Sequence, residues 1–363
     1  MSNEDDTNLP SPDFSARPLG CVSGIRPFRR SGYRLEQERI ASSPDKFIVH
    51  NYGHGGAGIS LSWGSSSKVR DIVRAHLTTT ADRKVAVLGS GVMGLTAATL
   101  LVDLGLQVTV YAETFWKDTT SAAAGGQWAP SIVGYADRME FAQVLETSYK
   151  TFKDSIGKGF GVFERPTYAA ALSPSFELVF QLVPGLLPPR KDLTRLPFEH
   201  HTKPGYLYLT LLIEPPIFLK KLDDDLRSKG VAFVTRTFLD VASVLQLQEN
   251  IIINCTGMGA KKLWNDAAMQ PIKGQLALLP PQPDLTYLYS QNGYMFPRSD
   301  AVAIGGSFEE DDSTPGADPA CCRLLVDYLK GQFGQGPEIP FPDCHIHHPL
   351  NRPKVAAEEA AAG

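Results

Sequence analysis

The run Lys84–Leu88, KVAVL, passes without a spacer into GSGVMG, and this junction constrains the fold more than any other stretch of the chain. A short, continuously apolar run suits a strand buried on both faces of a parallel sheet. Helix formers follow from Val92 to Leu104, with Leu95, Ala98 and Val102 on one stripe and Gly105 placed as a left-handed C-terminal cap. QVTVY then restarts a strand, completing a strand-helix-strand unit of about thirty residues, for which topology rules require a right-handed crossover. Gly89, Gly91 and Gly94 form GxGxxG, and Glu113 lies 24 residues beyond Gly89. Gly89 permits the tight turn, and Gly91 lets a pyrophosphate approach the N–H groups of Val92 and Met93 at the helix start. Gly94 lets helix pack on strand. Glu113 can accept a ribose hydroxyl. The pattern predicts a dinucleotide site without deciding which dinucleotide.

Two further strand-to-glycine-turn-to-helix junctions can extend the same sheet: Phe47–Gly64 (FIVHNYGHGGAGISLSWG) and Ile251–Trp264 (IIINCTGMGAKKLW). From Ile272 to Phe308 apolar runs alternate with turns, as expected for antiparallel strands of a second domain. At 363 residues two domains are expected. The expected fold is therefore mixed α/β: a Rossmann-like doubly wound domain over residues 41–142 and 218–265, with an inserted mixed or antiparallel sheet domain over 19–40, 143–217 and 266–333. Residues 1–18 are expected to be a disordered tail and 334–363 a weakly ordered one, since neither offers a periodic apolar face.

A net charge of -4 gives no electrostatic case for nucleic acid or an anionic membrane surface. No apolar run approaches the ~18 residues of a membrane span, and MSNEDDTNLPSPDF lacks the regions of a signal peptide. The five cysteines are irregularly spaced, so free thiols in a reducing compartment are expected. Cys344, His345, His347 and His348 in CHIHH could suggest a metal, but a Pro-rich tail without a second ligand group reads better as a solvated or partner-contacting extension, and no metal is expected.

The stretch Thr119–Pro130, TTSAAAGGQWAP, resembles the second FAD-contacting motif of the D-amino-acid oxidase family. IIINCTGMGA, GQLALL, GYMFPR and AIGGSFEE resemble the same family in the family's order. GIRPFRRSGYRLEQ (Gly24–Gln37) and VHNYGHGGAGISLSWG (Val49–Gly64) resemble its closing active-site segment, here at the front, so the chain resembles a circularly permuted member. The resemblance implies FAD, held by the fingerprint residues, by Thr119, Thr120 and Ser121 hydroxyls, and by Gly125, Gly126, Gln127 and Trp128 along the flavin. It also implies Thr256 and Gly257, with Gly55, Ala57, Gly58 and Ile59 near the flavin pyrimidine edge.

For the substrate, the resemblance places a carboxylate on Arg29, with Arg26 and Arg30 as local competitors, and the amine on the Gly56 carbonyl. Tyr294 and either Tyr208 or Tyr206 are candidates for hydroxyl contacts, although an aromatic on a strand is more often core packing. His54 reads better as a backbone-orienting residue than as a base, despite its near-neutral titration. The implied reaction is FAD-dependent oxidative deamination of a D-amino acid, with dioxygen as the second substrate. A specialised amine or imino-acid oxidase or dehydrogenase and a non-catalytic flavin-binding protein are the rival readings. The chain's end, AAG, lacks the peroxisomal tripeptide of many relatives, so cytoplasm is expected; the reading admits a homodimer.

Overall fold

The computed structural model describes residues 8–201 and 203–344. The chain opens with β1 (Gly20–Arg29), β2 (Arg34–Ile40) and β3 (Ser43–Tyr52), then α1 (Gly58–His76), β4 (Lys84–Leu88), α2 (Val92–Asp103) and β5 (Gln107–Ala112). It continues through α3 (Arg138–Asp154), β6 (Val162–Ala169), α4 (Pro174–Leu182), β7 (Lys191–Leu193), β8 (Gly205–Ile213) and α5 (Pro215–Ser228). Next come β9 (Ala232–Thr235), α6 (Val241–Leu245), β10 (Ile251–Asn254), α7 (Ala260–Leu263) and β11 (Met269–Leu279). The last elements are β12 (Leu288–Ser290), β13 (Tyr294–Pro297), β14 (Val302–Gly305), β15 (Glu309–Glu310) and α8 (Pro319–Gln332).

One sheet runs β2-β3-β10-β4-β5-β9 and is parallel apart from β2, which lies antiparallel on β3. Val85, Ala86, Val87 and Leu88 have no exposed surface, so β4 is apolar from Val85 onward because helices and loops cover both faces. Gly105, at φ +85°, caps α2 and turns the chain into β5. Asp137 caps α3 by accepting from the Met139 and Glu140 amides at 2.8 Å. The second sheet runs β1-β11-β14-β13-β12-β6-β8-β7, with β15 on β11, and is antiparallel except where β12 meets β6. The mixed α/β architecture is thus the one the strand and turn pattern predicts.

Three expectations fail. Strand β2, placed with the second domain, belongs to the first sheet; its polar, alternating sequence suits an edge strand beside β3. Residues 8–18 are packed rather than disordered: Phe14 is buried against Phe333, the Leu9 amide donates to the Pro197 carbonyl at 2.7 Å, and Tyr287 Oη donates to the Pro10 carbonyl at 2.7 Å. Phe341 packs edge-on against Tyr328 in the same way. Single apolar anchors on irregular backbone carry no periodicity to read. The free-thiol expectation also fails: Cys21 pairs with Cys322 and Cys321 with Cys344, leaving Cys255 free and buried. The first partners lie 301 residues apart, so spacing along the chain cannot reveal them.

Candidate active site

A cavity of about 670 Å³ lies where the C-terminal ends of β3, β10, β4 and β5 face β1, β11 and β13 of the second sheet. Of the residues expected to hold a dinucleotide, Gly89, Gly91, Val92, Met93, Glu113, Thr119, Thr120, Ser121, Thr256 and Gly257 line it. Gly89 adopts φ +105° and its amide donates to the Tyr111 carbonyl at 2.8 Å; a side chain there would run into the Cys255 carbonyl. Gly94 does not reach the cavity. A Cβ on it would strike the Gly89 carbonyl, so its work is to seat α2 on the turn. The Val92 amide, at the positive end of α2, donates to Ser121 Oγ at 3.0 Å, which brings hydroxyl and helix N-terminus to one spot suited to a diphosphate. Glu113, exposed just beyond β5, lines the cavity and can accept a ribose hydroxyl.

At the other end lie Gly55, Gly56, Gly58 and Ile59 with Gly125, Gly126 and Gln127. The Ala124–Gln127 segment is pinned by Arg298, whose Nη1 donates to the Ala124 carbonyl at 3.1 Å while Asp300 holds the rest of the guanidinium at 2.9 Å. Tyr294 stacks on Phe296 and packs closely against this segment: a Cβ at Gly125 would sit 2.9 Å from Tyr294 Cε2. Burial raises the Tyr294 pKa, against the pull of Arg26 and Arg298, so its hydroxyl stays protonated.

Trp128 and Ala57, both expected on the flavin, do not line the cavity. Trp128 is fully buried on the far side of the loop, with Nε1 donating to the Ser60 carbonyl at 3.1 Å and its ring edge-on to Tyr149. Successive side chains of extended backbone point to opposite sides, so Gln127 in the cavity dictates Trp128 outside it. Tyr208 does not line the cavity either: it is buried against Phe176, directly behind Gln127 and Ser290, which do, and Tyr206 packs under Arg190.

The same alternation decides between the arginines. Arg26 and Arg29 stand three apart on β1, hence on opposite sides. Arg26 enters the cavity; its Nη1 donates to the Lys273 carbonyl at 3.0 Å and the Ser307 carbonyl at 3.1 Å. Gly274 leaves room for the guanidinium, which a Cβ would overlap. No carboxylate among the described residues bonds to it. Burial lowers its pKa, with Tyr294 and Glu309 opposing, and an arginine so placed remains charged. Arg29 instead donates from Nε to Asp266 Oδ2 at 2.8 Å and from Nη1 to the Gly32 carbonyl at 2.9 Å. Tyr52 Oη also donates to Asp266 Oδ2, at 2.8 Å. Burial would raise the Asp266 carboxyl, but the Arg29 and Tyr52 bonds override it and hold its pKa below the ordinary value. The expected clamp, Arg29, is thus a structural ion pair, and the guanidinium that enters the cavity beside Gly56 and Tyr294 is Arg26.

His54 is buried, stacks on Tyr33 and places Nε2 3.0 Å from Ser65 Oγ; burial pushes its pKa down to about 3. It is neutral and packed, as expected of an orienting residue. Of the CHIHH cluster, Cys344 is in a disulfide, and His345, His347 and His348 lie outside the described residues. Sequence reasoning missed Ser290 and Asn292, which line the cavity near Tyr294, and Asn51, which lines it with no exposed surface. The glycine cradles, the α2 N-terminus and the unpaired buried amide of Asn51 fit a flavin dinucleotide.

No helix among the described residues is long and apolar enough to cross a membrane. Residues 84–345 match the model of the DAO family, FAD dependent oxidoreductase. The chain is 29% identical to a D-amino-acid oxidase of Rubrobacter xylanophilus over 256 residues, covering 67% of this chain and 75% of that one. It is 26% identical to a human D-aspartate oxidase over 268 residues, covering 66% and 75%. Among solved structures it is similar in fold to glycine oxidase from Bacillus cereus, at 14% identity, 68% and 77% coverage and a TM-score of 0.51. With the family match spanning more than half of its length and a cavity fitted to FAD, the chain belongs to the FAD-dependent oxidoreductases of the DAO family.

Proposed function

We propose that this oxidoreductase carries out oxidative deamination of small, neutral D-amino acids. The observation that carries the reading is Arg26: a guanidinium braced by two backbone carbonyls, facing the cavity and bonded to no carboxylate among the described residues. Its remaining N–H groups can grip a substrate carboxylate in a bidentate fork. Gly56 lies beside it, since a Cβ there would sit 3.4 Å from Arg26 Cδ, so the Gly56 carbonyl is the proposed acceptor for the substrate amine. Tyr294 closes the other side and offers a protonated hydroxyl. Bound FAD would supply the two-electron oxidant for hydride loss from the substrate α-carbon, with dioxygen as the terminal acceptor, reduced to hydrogen peroxide. The chain's residues contribute position: they fix carboxylate and amine so that the carbon between them faces the Gly125–Gln127 wall. His54, neutral and buried, holds its turn and moves no proton. The imine released hydrolyses to a keto acid and ammonia.

Gln127, Ser290 and Asn292 give the substrate end an uncharged polar wall, which supports a neutral side chain. The D configuration is carried over from the names of the relatives. We also read the chain order as a circular permutation: β1 through α1 precede β4, yet supply Arg26 and Gly56, and the family match begins at Lys84. The test is the visible spectrum of purified protein titrated anaerobically with D- and L-alanine, serine and aspartate. Bleaching of the flavin band by D-alanine and D-serine is expected. A flavin unmoved by every D-amino acid would refute the proposal, and bleaching by the L forms alone would refute the configuration.

A further inference from the structure

Strands β3, β10 and β4 are in register at His50, Asn254 and Leu88, so Asn51, Cys255 and Gly89 form the next layer, at the floor of the cavity. The polar groups one layer down are satisfied. Asn254 Nδ2 lies 3.0 Å from His50 Nδ1, Asn254 Oδ1 accepts from Thr256 N and Oγ1, and His50 Nε2 reaches Glu38 at 2.6 Å. Asn51 differs: it has no exposed surface, and neither its Oδ1 nor its Nδ2 meets a nitrogen or oxygen partner among the described residues. Its protein neighbour on that layer is the Cys255 thiol, a poor substitute for an oxygen. Native proteins rarely leave a buried amide unmatched without a ligand to complete it.

We infer that Asn51 is a further FAD-binding residue, its amide bonding oxygens of the ribityl-diphosphate stretch that passes between the Gly89 turn and the Gly53–Gly56 turn. The inference rests on FAD as the cofactor. An amide offers two donors and an acceptor, which matches a chain of hydroxyl and phosphate oxygens and no apolar part of the cofactor. It also makes the orphaned amide a burden on the apoprotein that binding relieves.

The experiment compares wild type with Asn51→Leu, which keeps the volume and removes both polar atoms. FAD affinity of the apoprotein is read by flavin fluorescence titration, and apoprotein stability by thermal melting. The expected result is a Kd for FAD raised about tenfold, the loss of one net hydrogen bond, with an apoprotein melting no lower than wild type. An unchanged Kd in a folded Asn51→Leu protein overturns the inference. Should that variant fail to fold, Asn51→Ser serves: a raised Kd supports the assignment and an unchanged one overturns it. A wild-type apoprotein that takes up no FAD would overturn the cofactor assignment itself, and with it this inference, a result distinct from selective failure of the variants.

Discussion

Replacing Arg26 and Arg29 separately with leucine should split two functions that the sequence leaves tangled. Arg26→Leu removes the guanidinium beside Gly56 and both of the bonds it can give a carboxylate, each worth about 1.5–3 kcal/mol as a charge-assisted pair. The sum, about 3–6 kcal/mol, corresponds to a drop of roughly 10²–10⁴ in kcat/KM for D-alanine. Arg26 is anchored only to backbone carbonyls, and a leucine fits the space beside Gly274, so the folded protein and its FAD content should persist. Arg29→Leu instead strips the partner from Asp266, whose side chain is 8% exposed. Its cost should fall on stability, at about 1–3 kcal/mol given that the Arg29 side chain is itself 20% exposed, while kcat/KM of the folded holoenzyme changes little. Oxygen consumption with D-alanine and urea denaturation of both variants make the comparison. A folded, FAD-loaded Arg29→Leu protein that has lost turnover, beside an active Arg26→Leu protein, would refute the assignment.

Reduction of the Cys21–Cys322 bridge, or Cys21→Ser, should lower the urea midpoint with little effect on KM, because the ten-pair β1–β11 ladder holds Arg26 independently. Chain-entropy scaling for so long a loop sets a ceiling of about 6 kcal/mol, and a midpoint indifferent to reductant would remove the bridge from the account. Acid should destabilise the fold through His54, whose pKa falls from 6.5 to about 3 on folding. The unfolded chain then binds the extra proton, so this contribution is complete above pH 6.5 and is lost as pH falls toward 3. The loss is about 2 kcal/mol by pH 5. A His54→Asn protein with the wild-type dependence of stability on pH between 7 and 5 would contradict this.

What the sequence discloses is local. The Gly89–Gly94 fingerprint is legible because strand, turn and helix are consecutive and each glycine answers to a neighbour within a few residues. Arg26 against Arg29 is not, because both sit in one run of arginines and only the pairing of β1 on β11, some 240 residues away, decides which side of the strand faces the cavity. Trp128 misled for a related reason: the loop's small residues announce a close approach, but not which side of the extended chain makes it. The burial of Phe14 and the Cys21–Cys322 disulfide rest on partners from opposite ends of the chain, and no window of sequence contains both.

The site itself is assembled across the same distance. Residues 84–345 carry the family match, the fingerprint and the Gly125–Gln127 wall, yet they lack Arg26, Asn51 and Gly56. Those come from β1, β3 and the turn before α1, and β3 is an interior strand of the parallel sheet, between β2 and β10. Removing residues 20–76 would therefore expose an edge of β10 in the middle of the nucleotide sheet and take away the substrate's proposed carboxylate and amine contacts together. In the circular permutation we propose, moving this segment to the front changes the order in which the chain meets the core. The contacts it must make are unchanged, which is why such a rearrangement can leave a complete cavity.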